Sequence, residues 1–316
     1  MSVLHQGIDF QQYNARAMRT KTITAYIEII FAVVAWGTSF IATKIVLRDL
    51  APVTVVWVRF AIGLVIIGSA VVARRQFSIP KRNEWPYFIL LGFLGITFHQ
   101  WLQSTALVTV QASTTAWVLA TSPIFIAILS VIFLRERLVW LQVFGIILAA
   151  MGVLLVVSEG DINKVFSGQF GTPGDILVLV SSVNWAVFSI LSSSGLKRYQ
   201  PTQMMFFVML IGWILTTVLF IAQGGWADLQ HITRTSLLGI AFLGIICSGL
   251  AYIAWYDVLH VLPATQVGAF LNIEPLITVL VAWMLLGEQI LPIALVGGAI
   301  ILIGVRLVQK PPPQKM

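Results

Sequence analysis

Charge is scarce in this chain of 316 residues. Asp, Glu, Lys and Arg make up only 10% of it, against about 25% in an ordinary soluble domain. So few charges could not cover a soluble surface. A soluble enzyme, a disordered chain and a nucleic-acid binder are thereby excluded. Cysteine is nearly absent. The single Cys247 excludes a disulfide framework, a Cys-ligated zinc site and a cysteine-held iron–sulfur cluster. No Gly-x-x-x-x-Gly-Lys-Ser/Thr loop occurs, so ATP is not expected as the direct energy source. Neither His-Glu-x-x-His nor Gly-x-Ser-x-Gly occurs, and no cofactor or metal site is expected.

What is abundant is apolar side chain, at 59% of residues with a mean hydropathy of +0.95. A helix needs about 20 apolar residues to cross the hydrocarbon of a bilayer. Ten such stretches are legible, at 23–46, 53–73, 86–108, 112–134, 138–157, 174–195, 202–222, 236–258, 264–287 and 290–308. They are too long, and alternate too little, for transmembrane β-strands. The expected fold is an all-α polytopic membrane protein of ten transmembrane helices. Residues 1–22 read as a polar tail without the apolar stretch and cleavage site of a secretory signal.

The net charge of +7 is explained by loops rather than by nucleic acid. With the N-terminus inside, fourteen of the 19 Lys and Arg residues fall in cytoplasmic segments and four in external ones. That bias places both termini in the cytoplasm, in a bacterial-type inner membrane. The partners expected are the bilayer and a small-molecule substrate, with self-association left open.

The two halves of the chain align. A shift of 149 carries Trp36 to Trp185 and Pro52 to Pro201. A shift of 152 carries Gly92 to Gly244, Ala112 to Ala264, Pro123 to Pro275, Glu136 to Glu288, Gly145 to Gly297 and Gly152 to Gly304. Each repeat holds five spans, an odd number, so the second copy enters the membrane from the opposite side. The organisation is a tail 1–22, a first repeat 23–157, an external linker 158–173, a second repeat 174–308 and a tail 309–316. Two inverted five-helix repeats are the architecture of many secondary transporters, with the substrate site near the midplane between them. A duplicated channel or a membrane-embedded enzyme is the alternative. The first would want a ring of charges or filter carbonyls, and the second a catalytic constellation. Neither is visible.

The aligned residues also resemble a family. Trp36-Gly37-Thr38-Ser39-Phe40, Lys44, Pro52 and Arg59-Phe60 look like the opening of an EamA domain. Ala106-Leu107, Ala112-Ser113, Pro123, Glu136 and glycines 145 and 152 look like its remainder. The second copy departs from the pattern, with Trp185-Ala186 for Trp-Gly and Met209 or Leu210 near the place of Arg59. The resemblance implies the drug/metabolite transporter superfamily and exporters of amino acids and related metabolites. Within it, the chain looks most like the aromatic amino-acid exporter branch.

Polar groups deep in a span are costly unless they face protein or water, so they mark candidate site residues. Glu274 lies about 15 Å into the ninth span at 1.5 Å per residue, flanked by Asn272 and Pro275. The proline frees the carbonyl of Leu271. The matching turn of the fourth span, Thr121-Ser122-Pro123, has no charge. His99 and Gln103 share a face of the third span, where His99 could hold a carboxylate or carry a proton. Trp36, Trp117, Trp185, Tyr252 and Trp255 supply apolar walls suited to a mostly apolar metabolite, and Ser39 lies one turn from Trp36. Trp57, Trp85, Trp140 and Trp226 read as interface anchors. Lys44 and Arg59 read as structural residues snorkelling outward, with Asp49 as partner. The paired glycines of the fifth and tenth spans read as close-packing positions.

Overall fold

The computed structural model describes residues 2–134, 138–161, 171–262 and 264–309. Those residues are helices and connecting turns, without strands. Ten helical spans follow in chain order. They are α1 (Ser2–Val46, apolar over Lys21–Val46), α2 (Pro52–Ala73), α3 (85–106), α4 (Ala112–Phe133) and α5 (Trp140–Val157). The second set is α6 (Pro173–Leu196), α7 (Pro201–Ala222), α8 (Arg234–Leu259), α9 (Gln266–Leu286) and α10 (Pro292–Val308). Eight are long and apolar enough to cross a membrane by themselves. The tenth is a shorter apolar helix. The third is diluted by His99, Gln100, Gln103 and Ser104.

Proline sets several of the starts. Pro52, Pro173, Pro201 and Pro292 sit in the first turns of α2, α6, α7 and α10, where an N–H would be unpaired anyway. Thr172 adds a capping box with Asp175 at the start of α6.

The inversion is visible in how α5 and α10 meet. A Cβ on Gly145 would lie 2.6 Å from the Gly304 carbonyl, and one on Gly152 would lie 2.6 Å from the Gly297 carbonyl. Gly145 and Gly297 are repeat mates, as are Gly152 and Gly304. Each contact is therefore the other with its partners exchanged, and the two helices run antiparallel. That is a pseudo-twofold lying across the helix axes. Only glycine permits this backbone approach.

The same symmetry organises the rest. Helix α2 packs on the middle of α8, and α7 packs on the middle of α3. Helix α1 lies against α8 and α9 of the other repeat, while α6 lies against α3 and α4. At one end of the bundle the Asp49 carboxylate accepts from the Ser236 and Thr233 hydroxyls at the start of α8. At the opposite end Glu84, before α3, accepts from the Tyr199 hydroxyl and lies 3.8 Å from Arg198. In both cases the turn after a repeat's first helix ties down the third helix of the other repeat. The Ser236 and Thr233 hydrogen bonds hold the half-buried Asp49 carboxyl below the usual range. Asp49 is thus a partner for α8, not for Lys44 or Arg59.

The repeat-mate acids differ in what is seen of them. Glu136 lies outside the described residues. Glu288 closes the end of α9 against α4. Its two oxygens accept from the Ala112 N–H at 2.8 Å, the Ser113 N–H at 3.2 Å and the Ser113 hydroxyl at 2.7 Å. Lys44 lies 3.9 Å away and donates to the Val110 carbonyl.

Candidate functional site

Both third helices lose α-helical register at mid-span. Phe93–Phe98 in α3 and Phe242–Leu250 in α8 are π-helical, and the two segments are repeat mates. A π turn leaves a carbonyl without its usual donor. Each is rescued by a side chain from the first helix of the opposite repeat. The Asn184 amide donates to the Leu94 carbonyl at 2.8 Å. The Trp36 indole N–H donates to the Cys247 carbonyl at 3.1 Å. The unwound segments thus sit where the two halves interlock, and polar groups gather there.

Around the first segment, His99 is buried and stacks on Trp185, ring centroids 4.8 Å apart. One ring nitrogen meets the Ser181 hydroxyl at 2.8 Å, and the other meets the Gln103 amide nitrogen at 2.9 Å. Both nitrogens are used inside the protein. His99 thus joins Ser181, Gln103 and Trp185 across α3 and α6.

Around the second segment, Trp36 meets Tyr252 edge-on at 5.3 Å and Trp255 at 5.2 Å. Ser39 is half-buried one turn further along α1. Helix α9 approaches here because Gly37 lacks a side chain. A Cβ at that position would lie 2.9 Å from the Glu274 carbonyl. The Thr278 hydroxyl donates to the Gly37 carbonyl at 2.8 Å.

The proline breaks expected from the sequence are present in both halves and are finished differently. In α4, hydroxyls cover the break. Thr121 donates to the Val118 carbonyl at 2.6 Å, and Ser122 to the Leu119 carbonyl at 2.7 Å. In α9 a 3₁₀ turn at Leu271–Ile273 leads into a helix restarting at Glu274. Asn272 turns to Gln309 at 3.5 Å. The half-buried Glu274 carboxylate has no hydrogen bond or ion pair among the described residues, and its backbone carbonyl lies against Gly37 of α1. It does not pair with His99.

Trp117 is placed apart from these groups. It is 1% exposed and packs among Ile124, Ala149, Val156 and Ile301 of α4, α5 and α10, against Gly298. The structure therefore brings together Trp36, Tyr252, Trp255 and Glu274 as one group, and His99, Gln103 and Trp185 as another. Thr121 and Trp117 belong to the α4 side, and Asn272 faces the end of α10. A cavity of about 280 Å³ opens between Lys44, Arg48, Gln111 and Glu288, at one end of the bundle rather than at mid-depth.

The sequence alone does not mark Arg59 as a site residue. It does not snorkel outward. It is 5% exposed and points between α3 and α8, donating to the Ser248 hydroxyl at 3.0 Å and the Gln100 carbonyl oxygen at 3.4 Å. Nor does it mark Ser181, Asn184 or Ser248. Their signal is weak, since small polar residues are common in membrane helices.

Two inverted halves, interlocked through unwound segments with polar and aromatic groups held between them, define a polytopic membrane protein of the inverted-repeat class. The chain belongs to the EamA-like transporter family, whose model matches residues 23–158 and 172–309. An uncharacterized transporter of Archaeoglobus fulgidus is 30% identical over 287 residues, covering 90% of this chain and 98% of that protein. A probable terminal-alkyne amino-acid exporter of Streptantibioticus cattleyicolor is 27% identical over 290 residues, covering 89% of this chain and 92% of that one. A solved crystal structure shares the fold with a TM-score of 0.62 at 19% identity, over 90% of this chain and 95% of that one. The chain is a multi-pass membrane transporter, not an enzyme.

Proposed function

We propose that the protein exports amino acids, aromatic or broadly apolar in side chain, or closely related metabolites, across the inner membrane by alternating access. The observation that carries this reading is the Trp36, Tyr252 and Trp255 cluster beside the unpartnered Glu274 carboxylate. An aromatic wall suits an apolar side chain, and a carboxylate without a cation suits an ammonium group. The amino-acid exporter of S. cattleyicolor among the relatives supports the substrate class. Alternating access is supported by the pseudo-twofold, because exchanging the conformations of two equivalent halves turns one state into the other. The cytoplasmic side is the end holding Arg74, Arg75, Lys81, Arg82, Lys197 and Arg198, by the positive-inside rule.

The test is flux in proteoliposomes against a panel of amino acids, with and without a pH gradient. Saturable uptake with counterflow of an apolar amino acid supports the reading. Non-saturating flux without counterflow would make the protein a channel, and absence of any amino-acid flux would remove the substrate class.

A further inference from the structure

Arg59 is a cation without a counter-ion. Its guanidinium is buried where α2, α3 and α8 meet, and no carboxylate lies within ion-pair distance among the described residues. Its partners are neutral: the Ser248 hydroxyl, the Gln100 side-chain oxygen and the face of Phe60, 5.0 Å from ring centroid to guanidinium carbon. Nε and Nη1 are used by these contacts. Nη2, with two hydrogens, has no hydrogen-bond partner among the described residues. Arginine presents a rigid fork of donors matched to a carboxylate. Here one donor of each edge is occupied, and Nη2, common to both edges, is open.

If the residue served only to join α2 to α3 and α8, an uncharged donor would make the same two bonds without burying a charge. Beyond the Phe60 face, the charge gains a use when an anion visits. The position fits a visitor, because Ser248, which accepts the Nε bond, lies one turn before Tyr252 on α8, while Tyr252 meets Trp36, and the neighbouring Gly37 lies against the Glu274 backbone. A cation and an anion thus flank one aromatic group at the interlock of the halves. We propose that Arg59 binds the carboxylate of the transported molecule through its open Nη2, with Ser248 and Gln100 holding the guanidinium in place between visits. The inference rests on the reading of the Trp36–Tyr252–Glu274 region as the substrate's path. It adds that the substrate must carry an anionic group, as a zwitterion does and an amine does not.

The experiment uses purified full-length protein in detergent and three probes of one shape: 3-phenylpropionate, 3-phenylpropionamide and phenethylamine. Ligands that bind the folded state raise its thermal unfolding midpoint. Wild type should respond to 3-phenylpropionate at about tenfold lower concentration than to the amide, as a charge-assisted pair requires. Arg59→Gln should bring the two concentrations together while leaving the response to phenethylamine in place. Arg59→Lys keeps the charge and loses the fork, so its preference should shrink without vanishing. If Arg59→Gln fails to fold, the wild-type comparison and Arg59→Lys decide the matter. Absence of an acid-over-amide preference in wild type, or the same preference in every folded variant, overturns the proposal. Failure of amino-acid flux alone would sink the transport reading and leave the carboxylate preference standing as a separate result.

Discussion

Removing the Glu288 carboxylate should destabilise the folded protein by about 3 kcal/mol, on the basis of two backbone donors losing a charged acceptor at about 1.5 kcal/mol each. The carboxylate is 9% exposed and accepts from the Ala112 and Ser113 N–H groups at the first turn of α4. Among the described residues those donors have no other acceptor in place, and the α4 dipole adds to the loss. Glu288→Gln keeps one carbonyl oxygen, so it should cost roughly half as much. Lys44→Ala should cost less again, about 0.5–1 kcal/mol. Its ammonium sits at the long distance of 3.9 Å and is 27% exposed. The order is thus Glu288→Ala, Glu288→Gln, Lys44→Ala. Denaturant unfolding in detergent, followed by tryptophan fluorescence, reads it directly. If Lys44→Ala proves as harmful as Glu288→Ala, the ion pair and not the helix cap holds this end together, and the reasoning is refuted.

Other outcomes follow from the same contacts. Glu274→Gln should lower transport far more than expression, and normal transport at every pH would make the carboxylate structural. Trp185→Ala should reduce transport at near-normal folding, whereas Trp117→Ala should cost about 3–5 kcal/mol of stability as a core cavity does; the opposite pattern would exchange their roles. With Cys247 replaced, single cysteines at positions 164 and 198 should label from opposite sides of the membrane, and labelling from one side would refute the proposed orientation. Gly145→Leu should prevent assembly of α5 with α10, and a stable, active variant would show that the backbone contact is dispensable.

Much of the architecture was legible because hydropathy measures what a bilayer selects. Span length, loop charge and the shifts of 149 and 152 needed no packing information. The site was less legible. The breaks at Pro123 and Pro275 could be read, since proline acts on its own helix. The π segments could not, because their freed carbonyls are satisfied by Asn184 and Trp36, some 90 and 211 residues away in sequence. Arg59 shows the limit plainly. Seven residues past Pro52, its long side chain could reach the interface or the interior with equal ease, and only Ser248 and Gln100 decide which. Trp117 is the converse case. Its place near mid-span is correct, but its direction is set by Gly298 on a helix nearly two hundred positions later.

The crossing of α5 and α10 has a consequence for ancestry. Because Gly145 meets Gly304 and Gly297 meets Gly152, the contact is isologous: each side offers what the other side offers. Two separate copies of one five-helix unit, inserted in opposite senses, could therefore meet through this surface as a C2 homodimer does. A single polypeptide carrying both units needs no new interface there. It needs only a connection, and it gains the freedom to let the copies diverge, as Glu274 has from Ser122.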